Sequence, residues 1–204
     1  HIKKQVKLIN LLIGSDHRGY QLKSDILYLI QNMHLNNYKN LNQIKKMKLN
    51  SNDTFAEEKN NIITHDIGCY SLTEVCDYPI IVKEMHKRWI TNARGILICG
   101  SGIGMSIAAN RFSKFRAALC TSENMIYSAR QHNDVNILVL SAQHFLKIEN
   151  TKQSKSKLNM QFNKDEKTNY MHYLAEYITA FLYTDFELSP RHIRRVQQLS
   201  NINL

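Results

Sequence analysis

Residues 95–110 read Gly-Ile-Leu-Ile-Cys-Gly-Ser-Gly-Ile-Gly-Met-Ser-Ile-Ala-Ala-Asn, and they hold the densest chemistry of the chain. The apolar run Ile96-Leu97-Ile98 ends on Cys99, glycines alternate at 100, 102 and 104, and small residues then open a helix. A strand that passes through glycines into a helix turns its backbone N–H groups toward one point, beside the positive end of the helix dipole. The pattern predicts an anion site with a thiol on its rim. That field favours thiolate, so Cys99 reads as a nucleophile or base; a buried core cysteine is the plainer alternative. The frame is not the dinucleotide fingerprint, because position 105 is Met, and it lacks the Lys-Ser/Thr ending of a P-loop. All seven glycines (14, 19, 68, 95, 100, 102 and 104) fall near strand ends that read as site-forming.

Three further clusters carry polar chemistry. Asp16-His17-Arg18-Gly19 directly follows an apolar run, where Asp16 suits a helix N-cap as well as a site carboxylate. Gln131-His132-Asn133-Asp134-x-Asn136 leads into a buried strand, and the polar side chains there need partners, which a site would supply. Arg191-His192-Ile193-Arg194-Arg195 reads as a solvated tail or, with 191 and 195 on one helical face, as a phosphate clamp.

The elements that position these groups follow from apolar periodicity. Strands are expected at Lys7–Ile13, Ile62–Ile67, 96–99, Phe115–Cys120 and Ile137–Ser141. Helices are expected at Gln21–Met33, from Asp77-Tyr78-Pro79 to Trp89, from Ile103, at Met125–Gln131 and at Tyr170–Tyr183. Strands apolar on both faces and alternating with helices predict an α/β fold, a three-layer Rossmann-like sandwich on a five-stranded parallel sheet. Sites in such sheets lie beyond the carboxyl ends of strands, which gathers Asp16-His17, Gly68–Ser71, Cys99–Gly104 and the residues after Cys120 at one rim.

Composition bounds the rest. The 204 residues fit one domain, with Asn/Lys-rich insertions at about 36–60 and 147–168 that are expected to be mobile and solvated. Residues 39–59 and 147–167 together supply half of the net charge of +10, without the interleaved aromatics of a stacking platform, so nucleic acid is not the expected partner. The irregular spacing of Cys69, Cys76, Cys99 and Cys120 fits free thiols rather than disulfides or a metal site. No apolar stretch reaches membrane-spanning length. Lys3-Lys4 before Leu8–Ile13 imitates a signal peptide, but Asn10 interrupts the run and a buried strand is the better reading.

In order along the chain, Gly14-Ser15-Asp16-His17-x-Gly19, Asp77-Tyr78-Pro79, Gly95 to Asn110, His132-Asn133-Asp134-x-Asn136 and Arg191-His192-x-x-Arg195 resemble the ribose-5-phosphate isomerase type B family. The resemblance implies an aldose–ketose isomerase of the pentose phosphate pathway, cytoplasmic, needing no metal or cofactor, that interconverts ribose 5-phosphate and ribulose 5-phosphate. It also implies a homodimer, or a tetramer, with active sites shared between subunits, His132 and Asn133 reaching in from the partner. By motif, Cys99 would move the proton between C1 and C2, while Ser101 and the N–H groups from Gly100 through Gly102 to Gly104 hold the enediolate. Asp16 and His132 would assist ring opening, Asn133 would bind a sugar oxygen, and His17, Arg191 and Arg195 would bind phosphate. Tyr70 would join the substrate contacts, the loops around it and Tyr78 setting the length of sugar accepted. Two positions depart from the family: Ser189-Pro190 stand where Gly-Gly is common, and Gln143 where Arg is common. An isomerase of a six-carbon sugar phosphate such as galactose 6-phosphate is the alternative, and a non-catalytic polyanion binder a more distant one.

Overall fold

The computed structural model describes residues 8–32, 61–151 and 164–202. Five parallel strands form one sheet: β1 (Ile9–Ser15), β2 (Ile62–Gly68), β3 (Arg94–Cys99), β4 (Ala117–Leu119) and β5 (Ile137–Ser141), in the spatial order β2-β1-β3-β5-β4. Around it lie α1 (Tyr20–Asn32), α2 (Tyr78–Lys87), α3 (Ile103–Ala109), α4 (Glu123–Asn133), α5 (Ala142–Thr151), α6 (Lys164–Tyr183) and α7 (Pro190–Ser200). The expected three-layer α/β architecture is therefore present.

The two-residue period of a strand sorts the core into two halves. Leu11, Ile13, Ile96, Ile98, Leu138 and Leu140 point to one face, where Ile26, Leu29, Ile126, Leu174, Ile178 and Phe181 of α1, α4 and α6 cover them. Leu12, Leu97, Ile137 and Val139 point to the other, under Ile81, Val82 and Met85 of α2 and Met105 and Ala109 of α3. With both faces covered, β1, β3 and β5 bury nearly all their positions, which is why these central strands read as continuous apolar runs, while the edge strands β2 and β4 are only partly buried.

Several expectations need correcting. β4 is three residues long rather than six, because Phe115 and Cys120 flank the strand as buried anchors outside the ladder. α5 was not expected; it starts without a break at the end of β5, where Ser141 Oγ accepts the His144 N–H. α6 begins at Lys164, six residues before the apolar stripe that betrayed it. The C-terminal basic segment is no tail: Ser189 takes the N-cap position and Pro190 the first turn of α7, so both departures from Gly-Gly serve to start a helix. Cys69 and Cys76 are joined in a disulfide, against the expectation of free thiols; Cys99 and Cys120 are free and buried. The first insertion lies outside the described residues, and the second does so only at 152–163, its ends belonging to α5 and α6.

Candidate active site

β1 and β3 are neighbours whose connections leave in opposite directions across the sheet, so the crevice beyond their carboxyl ends is the topological switch point. Two segments meet there. The Asp16 N–H donates to the Ile98 carbonyl at 3.0 Å, and Asp16 Oδ1 accepts the Gly19 N–H at 2.9 Å, capping a short 3₁₀ turn over His17–Gly19. Gly19 is pressed so close to β3 that a Cβ would stand 2.7 Å from the Ile98 carbonyl oxygen. Asp16 is thus buried as a cap, and His17 beside it holds a buried Nδ1 with no partner among the described residues.

From β3 the chain enters the glycine loop. Cys99 is 5% exposed, and its Sγ accepts the Gly102 N–H at 3.1 Å. That bend needs a φ of 80° at Gly102, and Leu119 leaves no room there for a side chain. The Gly100 carbonyl is pinned by Ser141 Oγ at 2.9 Å and by the Gln143 N–H at 3.0 Å. Ser101 is exposed and its Oγ accepts the Ile103 N–H at 3.3 Å. The Tyr78 ring covers Gly104, lying 2.9 Å from where its Cβ would be. Tyr70 is exposed on the neighbouring turn, its ring over Gly68 and 5.0 Å from Lys23 Nζ. Lys23 is itself 1% exposed, its ammonium donating to Asp66 and to the Cys69 carbonyl, both at 2.6 Å. One rim therefore collects Asp16, His17, Tyr70, Cys99, Gly100, Ser101, Gly102 and Gly104.

The remaining residues stand elsewhere. His132 and Asn133 close α4, which runs back against the strands and so ends at the opposite rim. The Gly95 N–H donates to the Asn136 carbonyl, fixing this segment to the start of β3, about 13 Å of strand from Cys99. α7 packs on α4 and brings Arg191 and Arg195 there too, one turn apart. His132 and His192 rings lie 4.6 Å apart, and Glu187 Oε2 sits 3.8 Å from His132 Nε2 and 3.6 Å from His192 Nδ1. Burial lowers the pKa of His192; Glu187 opposes that shift, while Arg191, His132 and Arg195 add to it. These three ligand atoms, all within 4.8 Å of one another, are the set among the described residues that could hold a metal. Against that use, Arg191 Nε–H donates to His192 Nε2, so the proton of the neutral ring sits on Nδ1, where a metal needs a bare nitrogen.

The polar run 131–136 is only in part a site. Asp134 takes Arg116 and Arg130 in ion pairs of 2.6 and 2.9 Å, and Asn136 bridges the Arg116 N–H and the Lys114 carbonyl. Their partners are structural, which corrects the expectation that a site would satisfy the whole run. Sequence reasoning also left Arg18 and Glu187 off the list of site residues. Arg18 stood inside a motif, but only the 3₁₀ turn decides that its guanidinium lies over Gly100; Glu187 had no signal beyond its distance from Arg191.

A family model described as Ribose/Galactose Isomerase matches residues 43–199. The chain belongs to that family. Among family relatives, a Rickettsia bellii protein whose name carries a provisional assignment as a sugar phosphate isomerase is 39% identical over 139 residues, covering 67% of this chain and 77% of that one. Ribose-5-phosphate isomerase B of Escherichia coli is 49% identical over 79 residues, 38% of this chain and 52% of its own length. The structure of the type B ribose 5-phosphate isomerase of Trypanosoma brucei superposes with a TM-score of 0.63 at 26% identity, covering 97% of this chain and all of that one. The family is one of sugar isomerases, and this chain's five-stranded parallel sheet is the family's fold.

Proposed function

We propose that this isomerase interconverts ribose 5-phosphate and ribulose 5-phosphate, with Cys99 as the base. The observation that carries the reading is the Cys99 thiol held at the mouth of the glycine loop, its Sγ already bonded to a loop N–H. With Asp16 and His132 assisting ring opening, the Cys99 thiolate takes the C2 proton of the open aldose. The charge moves onto O1, and the loop N–H groups with Ser101 hold the enediolate. The O2 proton moves to O1, and the same thiol returns the abstracted proton to C1, leaving C2 as the ketone. Asn133 binds a sugar oxygen, and His17, Arg191 and Arg195 take the phosphate.

Because the two groups of residues lie on opposite rims, one chain does not assemble them around one sugar. The reading therefore requires a homodimer in which the rim carrying Cys99 of one protomer faces the rim carrying His132 and Asn133 of its partner. An open groove lined by Leu119, Cys120, Met125, Ser128 and Asn133 runs along the β4 edge between the rims and suits such a contact. The family description names galactose beside ribose, so a six-carbon sugar phosphate is the second reading. An isomerase assay on ribose 5-phosphate and galactose 6-phosphate decides between them. Turnover with neither substrate would sink both readings.

A further inference from the structure

We propose that Arg18 is a catalytic residue of this isomerase, its guanidinium binding the enediolate oxygen that develops charge beside Cys99. The inference rests on the isomerase reading above and adds a side chain to it. A Cβ built on Gly100 would stand 2.6 Å from Arg18 Cζ, 2.7 Å from Nε and 2.9 Å from Nη1. The guanidinium plane is therefore laid against the backbone of the residue that follows the base. The absence of a side chain at position 100 is what admits it.

No described residue uses this charge. Arg18 is exposed and has neither an ion pair nor a hydrogen bond among the described residues. Its nearest carboxylate in sequence, Asp16, is committed to the Gly19 N–H. The acceptors beside it are already engaged: Cys99 Sγ takes the Gly102 N–H, and the Gly100 carbonyl is taken by Ser141 and Gln143. A guanidinium without a counter-charge gains its interaction only when an anion arrives, which is what a transition-state contact requires.

The position is also held rigidly enough to matter. The 3₁₀ turn is capped by Asp16, tied by the Asp16 N–H to Ile98, and wedged by Gly19 against β3. Arg18 thus moves with the same strand end that carries Cys99. Its planar fork can reach the oxygen with two donors.

The test is the full chain with Arg18→Ala and Arg18→Lys, assayed on ribose 5-phosphate. Arg18→Ala is expected to lower kcat about tenfold with KM changed less than about twofold, and Arg18→Lys to recover part of the loss. A raised KM at unchanged kcat overturns the proposal and gives Arg18 to the phosphate. No change in either leaves it a stacking residue and also overturns it. A second measurement does not need turnover: alkylation of Cys99 by anionic iodoacetate against neutral iodoacetamide, read by mass spectrometry. Arg18→Ala is expected to lower the iodoacetate-to-iodoacetamide rate ratio several-fold. If the wild-type chain turned over no sugar phosphate, the isomerase reading would fall, while an unchanged alkylation ratio would separately remove the cation from beside Cys99.

Discussion

Two buried thiols end up in opposite chemical states of usefulness. Cys120 lies among apolar side chains, and burial pushes its pKa up to about 11, so it stays protonated and inert at neutral pH. Cys99 is as buried but receives the Gly102 N–H. Cys99→Ala is expected to lower turnover at least 100-fold without loss of the fold, while Cys120→Ser changes it less than about threefold. Iodoacetamide at pH 7 is expected to label Cys99 first, with substrate protecting; equal labelling of both thiols would count against the base. The phosphate clamp gives a different kinetic mark. Because phosphate is held alike in ground and transition states, Arg195→Ala is expected to raise KM about tenfold and leave kcat within about twofold. Position 143 touches the glycine loop through its N–H to the Gly100 carbonyl, so Gln143→Arg adds a cation there and is expected to lower KM.

At the scale of elements, legibility in the sequence followed burial. β1, β3 and β5 are covered on both faces, so their apolar runs marked them to within two residues, and the motifs at their carboxyl ends were visible for the same reason. β4 was overread because Phe115 and Cys120 are buried by tertiary contacts that periodicity does not separate from pairing. α5 was hidden because it follows β5 without a turn residue. The Cys69–Cys76 bridge depends on how the loop after β2 folds back, which spacing does not encode. The junction of α4 and α7 gives a pH prediction. The pKa of His192 is lowered in the folded chain, so below about pH 6.5 the unfolded chain takes up a proton that the folded chain resists. Stability is then complete above the unfolded pKa and lost as pH falls through the folded one. Thermal unfolding at pH 7.5 and 5.5 is expected to show a lower midpoint at 5.5, with a smaller drop in His192→Asn.

For the molecule as a whole, the sheet separates the site residues by its own length. Cys99 and Ser101 stand beyond the carboxyl ends of the strands, and His132, Asn133, Arg191 and Arg195 at the amino ends. If two protomers complete each other, mixing inactive Cys99→Ala and inactive His132→Ala chains restores one good site in each mixed dimer. After subunit exchange at equal amounts, activity is expected to reach about a quarter of the wild-type level. No recovery, with exchange demonstrated by mass spectrometry, would confine the chemistry to one chain. If the sites are shared in this way, the opposite placement of the rims also sets a rule of inheritance. Lesions on different rims, carried by separate gene copies, rescue each other, whereas both lesions on one copy spoil each site of every mixed dimer. In such a dimer a doubly damaged allele beside a healthy one would leave only healthy homodimers, about a quarter of the full activity, the same level that two complementing single lesions reach.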